Sequence, residues 1–205
     1  MSQIPALQGG RSLSHPLPLA VGKSSSKMYV GGQANADVAA GTVINGDGEG
    51  TTETETTEYT VPANTLVAGS TIRTKFYVHC PSGNSSDTTQ VGLRFGSDTT
   101  ASSNTGIETA AIDLDNSGAV CVGDAVVQIR TAGASGTAVM FGTIAMDTNT
   151  AGIALSHDES GALTTFAVDT TVANYLSVTI TLGSTNASMV AQSEAFIVDI
   201  VNPGV

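Results

Sequence analysis

Several stretches of this chain alternate apolar and polar residues with a period of two, and that pattern constrains the fold more than any other feature. In Ile72–Cys80, the residues Ile72, Phe76, Val78 and Cys80 fall on one face, and Arg73, Lys75, Tyr77 and His79 on the other. Leu176, Val178, Ile180 and Leu182 alternate with Tyr175, Ser177, Thr179 and Thr181, and Val91, Leu93 and Phe95 with Gln90, Gly92 and Arg94. Phe196, Val198 and Ile200 repeat the pattern near the end. A strand places alternate side chains on opposite faces, whereas a helix would scatter these residues round its axis. The spacing predicts further strands at Tyr59–Val61, Val120–Arg130, Thr137–Met146 and Leu163–Val168. Turn signals such as Pro81-Ser82-Gly83-Asn84, Asn116-Ser117-Gly118 and Gly133-Ala134-Ser135-Gly136 separate them. Eight or nine short strands at this spacing imply an all-β, jelly-roll β-sandwich.

Composition agrees. The chain has 205 residues with 23 Gly, 28 Thr and 21 Ser, but only 12% charged residues and no Trp. Helical bundles lean on Glu, Lys and Arg, which are scarce here, and β-branched Thr and Val suit strands. At 40% apolar content and low charge density the chain does not resemble a disordered one. It is long enough to bury a real core.

The charge is divided. Residues 1–27 hold Arg11, Lys23 and Lys27 and no acid, a charge of +3. The remainder holds four basic and eighteen acidic residues, −14, which together give the formal −11. A surface so acidic excludes general nucleic-acid binding. No run approaches the roughly 18 apolar residues of a membrane-spanning helix. The prolines at 16 and 18 and the short run Leu17–Val21 do not make a signal peptide, so synthesis in the cytoplasm is expected. Cys80 and Cys121 are then expected as free thiols.

The first 27 residues also contain Pro5, Pro16, Pro18 and the run Ser24-Ser25-Ser26, and cannot sustain a helix. They read either as a solvated terminus or as an extended arm that orders on a partner, with short apolar anchors and a little positive charge. Residues 28–53 read as a Gly- and Ala-rich transition with one strand at Val38–Ile44, and the β domain is expected over 54–205.

Three groupings could carry chemistry. Asp113, Asp115 and Asp124 approach the spacing of a calcium loop, but Ser117 and the short Asp124 stand where an acid and a bidentate Glu are needed. Ser156-His157-Asp158-Glu159 holds the residue types of a hydrolytic triad, yet neighbours on one loop cannot converge as a triad must. His79 and Cys80 point to opposite faces of a strand and could not share an ion. No metal, cofactor or catalysis is expected. The acidic run Thr51–Glu58 would stay in water, either protecting a sheet edge or lining a symmetry axis of an oligomer.

The order of segments is distinctive. Tyr59-Thr60-Val61-Pro62-Ala63-Asn64-Thr65-Leu66 is followed by Leu93-Arg94-Phe95-Gly96, then by Arg130-Thr131-Ala132-Gly133-Ala134-Ser135-Gly136-Thr137, then by Val168-Asp169-Thr170-Thr171 before a strand. This succession, over roughly residues 54–201, resembles the jelly-roll domains of structural proteins from tailed bacteriophages. The resemblance implies a virion protein on the capsid surface, a decoration (cement) protein or head fibre, commonly a homotrimer and not an enzyme. The arm at 1–27 matches nothing in that pattern. Taken with the charge division, it would dock on the major capsid protein through Leu7, Arg11, Leu13, Leu17, Leu19, Lys23 and Lys27. The alternative is a head-fibre or tail module that binds host-surface glycans, with Tyr29, Tyr59, Tyr77 and Tyr175 as the candidate contacts.

Overall fold

In the structure, a computed structural model, the described residues are 36–38, 41, 44–45, 52–82, 88–113, 119–148, 152–156, 165–183 and 189–201. They form thirteen strands. In chain order these are β1 (Ala36–Val38), β2 (Ile44–Asn45), β3 (Thr54–Val61), β4 (Thr71–Ser82), β5 (Thr88–Gly96), β6 (Thr105–Glu108), β7 (Ile112–Asp113), β8 (Ala119–Thr131), β9 (Gly136–Thr148), β10 (Gly152–Ser156), β11 (Phe166–Val168), β12 (Asn174–Leu182) and β13 (Val190–Val201). Among the described residues one 3-10 turn, Ala101–Ser103, interrupts them.

The strands make two antiparallel sheets that face each other as a β-sandwich. The larger runs β1-β13-β4-β8-β9-β10, with β2 beside β1 along β13 and β11 beside β10 along β9. The smaller runs β3-β12-β5-β6, with β7 continuing the β6 edge of β5. The chain crosses between sheets at β2–β3, β3–β4, β4–β5, β7–β8, β11–β12 and β12–β13, so strands distant in sequence become neighbours, as in Greek-key sandwiches.

The alternation read from the sequence is the alternation of the core. Ile72, Phe76, Val78, Val127, Ile129, Ile144, Met146, Phe196 and Val198 of the larger sheet meet Val61, Val91, Leu93, Phe95, Leu176, Val178, Ile180 and Leu182 of the smaller. Fully burying an aliphatic or Phe side chain is worth about 1.5–3 kcal/mol, and these residues dominate the stability of the sandwich. Phe166 of β11 packs edge-on to Phe95 across the two sheets, with ring centroids 6.5 Å apart. At the centre of the larger sheet Gly123 lies opposite Phe76, whose ring occupies the space a side chain there would need.

Two strand expectations change. In place of one strand at Val38–Ile44 the chain forms two short pieces, β1 and β2, both paired with β13. Between them the Gly41 N–H donates to the Ser193 carbonyl at 2.7 Å. β11 starts at Phe166, and residues 163–164 lie outside the described residues. β6, β7 and β10 have no counterpart among the strands expected from the sequence. They are short, and in Thr105–Glu108 only Ile107 is buried, so little apolar pattern marks them. Among the described residues the first in a sheet is Ala36, within the segment read as a transition.

Candidate functional site

The smaller sheet turns an ionic cluster outward. Arg94 of β5 is flanked across the strands by Ser177 of β12 and Gly106 of β6. A side chain at Gly106 would meet the Arg94 stem at 2.5 Å, so the glycine lets the guanidinium lie along the sheet. There Arg94 Nε and Nη2 donate to Glu53 Oε1 and Oε2 at 2.7 and 3.0 Å, a bidentate pair, and Nη2 also donates to Glu108. Thr179 Oγ1 donates to the same Glu53 carboxylate at 2.6 Å. Arg94 and Glu53 retain only 15% and 18% of their side-chain exposure.

Burial would raise the Glu53 carboxyl, but the hydrogen bonds from Arg94 and Thr179 and the Arg94 charge outweigh it and hold Glu53 below its ordinary range. Burial likewise works against the Arg94 charge, and Glu53 and Glu108 more than offset it. The expectation that the whole acidic run stays in water therefore fails at Glu53, which an internal pair consumes. β3 is the edge strand of its sheet, and Thr56 is an extra residue where the β3–β12 register shifts. Glu58 behaves differently: burial, and then the nearby Glu55 charge, push its carboxyl up. Arg94, Glu53, Glu108 and Thr179 are bonded to one another, and the cluster braces β3, β12, β5 and β6 of the sheet.

The larger sheet turns out a different surface. Among the described residues six large apolar side chains are exposed, and five of them, Tyr77, Val120, Val122, Phe141 and Ile197, project from this one face at 38–48% exposure. Tyr77 lies beside Val122, Val120 beside His79, Ile197 beside Lys75, and Phe141 beside Val126. The described charges on the face are of both signs: Lys75 Nζ lies 3.2 Å from Asp124, Arg73 stands across from Asp199, His79 Nδ1 lies 3.8 Å from Glu194, and Arg130 of β8 is exposed on the same side.

A third feature lies at one end of the sandwich, where three loops are stitched together. The Asn64 N–H donates to the Thr170 carbonyl at 2.9 Å, the Gly133 N–H to Thr170 Oγ1 at 2.8 Å, and the Thr170 N–H to the Gly133 carbonyl at 3.2 Å. Asn64 and Gly133 both hold positive φ, 62° and 110°, which Asn and Gly accept most readily. Asp169 caps the turn by accepting from the Thr171 N–H, and Asn174 Nδ2 ties the Asp169 carbonyl at 2.8 Å. These are the residues of three of the sequence segments described above, gathered at one place.

The other candidates separate. Asp113 ends β7 in the smaller sheet, while Asp124 sits on the outer face of the larger, and Asp115 lies outside the described residues. No group of three metal-binding side chains occurs among the described residues. His79 is exposed and Cys80 buried, on opposite faces as the alternation requires. Cys80 and Cys121 are free and buried, and burial pushes both thiols up to about 12, so neither is a reactive thiolate at neutral pH. Tyr77 and Tyr175 point from opposite sheets and Tyr59 packs against the core, so no aromatic platform forms among the described residues. Tyr29, the hydrolase-like run His157–Glu159, and all of Leu7, Arg11, Leu13, Leu17, Leu19, Lys23 and Lys27 lie outside the described residues.

Sequence reasoning missed the Arg94 cluster because its partners stand 41 and 14 positions away, a separation no local pattern reveals. It missed the exposed apolar side chains because Val120, Val122 and Val126 of β8 face outward in a strand whose inner side is apolar as well.

No family model matches the chain, and no curated protein matches it in sequence. Among solved structures, the metal-free lectin I-B4 of Griffonia simplicifolia gives a TM-score of 0.29 at 10% identity, covering 70% of this chain and 77% of that one. A legume lectin-like domain from Entamoeba histolytica gives a TM-score of 0.24 at 9% identity, covering 69% and 74%. Likeness this slight carries no argument about a ligand, and the description of the sandwich rests on this chain's own strand order.

Proposed function

We propose that this chain is a non-enzymatic structural protein of a tailed-phage virion, which decorates or cements the outer capsid surface as a homotrimer. The observation that carries the reading is the meeting of Asn64, Gly133 and Thr170 in one hydrogen-bonded end. Three separate parts of the segment order that carries the resemblance meet there, which supports reading that order as the frame of one scaffold. The reading is also supported by the commitment of the polar groups in the Arg94 cluster to internal pairs, which suits a scaffold better than a catalyst.

In this reading residues 1–27 bring their apolar side chains and three positive charges to the major capsid protein, and the −14 remainder projects outward. Three arms per particle site would hold much more tightly than one, through effective concentration. The chain is made in the host cytoplasm and resides on the capsid surface. Deleting residues 1–27 is expected to abolish binding to purified capsids while the β-sheet circular dichroism is retained. Undiminished occupancy by the truncated chain would refute attachment through the arm.

A further inference from the structure

We propose that the outer face of the larger sheet is the surface through which copies of this chain meet. This deepens the reading above and rests on it only for the number of copies, three.

The apolar side chains make the case for a covered surface. Tyr77, Val120, Val122, Phe141 and Ile197 sit on four neighbouring strands, β4, β8, β9 and β13. They account for five of the six exposed large apolar side chains among the described residues. Scattered exposed apolar residues need no explanation, but a concentration on one sheet face marks an interaction site. The smaller sheet, by contrast, covers its outer surface with the Arg94 pairs and hydroxyls.

Charge identifies the occupant. From residue 28 onward the chain carries four basic and eighteen acidic residues, so two copies repel each other over most approaches. Of the four basic residues, Arg73, Lys75 and Arg130 are exposed on this face, and among its described side chains they are matched in number by Asp199, Asp124 and Glu194. His79 lies 3.8 Å from Glu194 at its margin. The repulsion between two copies is therefore smallest where their apolar side chains are most exposed. A strongly basic partner would be drawn to the acidic surfaces instead, and a strongly acidic one would find no net positive charge here. A second copy meets both conditions, since it brings an equally apolar and equally neutral surface.

The association should also respond to salt in a telling direction. Attraction between ion pairs weakens as salt rises, whereas here salt mainly screens the residual repulsion between acidic bodies. Self-association is expected to tighten between low and physiological ionic strength.

The test uses the full chain and measures molar mass by light scattering and sedimentation. Wild type is expected as a multiple of the 20.6 kDa chain. Val122→Glu with Phe141→Glu is expected to give the monomer at concentrations where wild type is assembled. Tyr77→Ser with Ile197→Ser removes apolar surface without adding charge, and should weaken assembly at least tenfold should the acidic variant fail to fold. Thr181→Glu, on the outer face of the smaller sheet, should leave the mass unchanged. A monomeric wild type, folded face variants that stay assembled, or association that weakens with added salt would each overturn the proposal. Capsid binding measured on the same variants keeps the two readings apart. Monomeric variants that still bind weakly through residues 1–27 leave the virion reading standing, and an assembled chain that binds no capsid removes it while the interface remains.

Discussion

Arg94 shows how much of this fold hangs on single residues. Its guanidinium neutralises a carboxylate that burial would otherwise penalise, and Glu53 is held there from both Arg94 and Thr179. Replacing Arg94 by Met leaves Glu53 half-buried without its counter-charge. Removing one partner of a fully buried pair costs about 3–5 kcal/mol, and the remaining exposure here lowers the expectation to about 2 kcal/mol. The deficit depends on pH. Folded Glu53 gives up its proton more readily than unfolded Glu, so its stabilisation is complete above the unfolded carboxyl value of about 4.3 and is lost as pH falls through the lowered folded value. Glu58 runs the other way: its raised carboxyl is destabilising at neutral pH, and the penalty is relieved on acidification. Urea melts are expected to show the Arg94→Met deficit at pH 7 shrinking in acid below about pH 4. A deficit that persists undiminished there would mean that packing of the Arg94 stem, and not its charge, carries the effect. None of this cluster was legible in the sequence. Glu53 belongs to an acidic run that reads as solvated, and only the crossing of β3, β12 and β5 brings it to Arg94.

At the scale of elements, alternation was legible wherever one face is apolar and the other polar, as in β4, β5 and β12. It fails on β8. There Val120 and Val122 look inward-facing by hydropathy, yet they are exposed, while Cys121, Gly123 and Ala125 are the core residues. The reason is steric. Phe76 on β4 lies across Gly123, and a large residue on β8 at that height would find the space taken. Gly123→Ala is therefore expected to destabilise by about 1–3 kcal/mol through overpacking, although Ala is intrinsically the better strand residue. The urea midpoint should fall with an unchanged slope. A neutral or stabilising result would show that the Phe76 ring has room to move. Short strands were illegible for another reason. β1, β2, β7 and β11 have two or three residues each, too few for any period to register, and their positions follow from the long strands β13, β5 and β9 that they flank. The loop motifs were legible as motifs, but their common purpose was not. That Asn64, Gly133 and Thr170 bond to one another appears only when the sandwich closes.

For the whole molecule, net charge is less informative than its placement. The formal −11 combines a +3 segment at residues 1–27 with a −14 remainder, and within that remainder the larger sheet exposes apolar side chains among charges of both signs. Each region then has its own role in the proposed virion protein. In that proposal the first 27 residues hold the capsid, the larger sheet meets other copies, and the acidic surfaces face solvent and keep particles apart. The fold class and the charge division were legible in the sequence, because period-two alternation and residue counts are local properties. The group of exposed apolar side chains on the larger sheet was not, because it is assembled from four strands that the topology brings side by side. Electron microscopy of assembled particles with and without this chain tests the central claim most directly. The expected result is additional three-fold density on the outer capsid surface, with β domains projecting and a thin connection to the shell. Particles whose capsid surface is unchanged, with the chain found elsewhere or not at all, would contradict it.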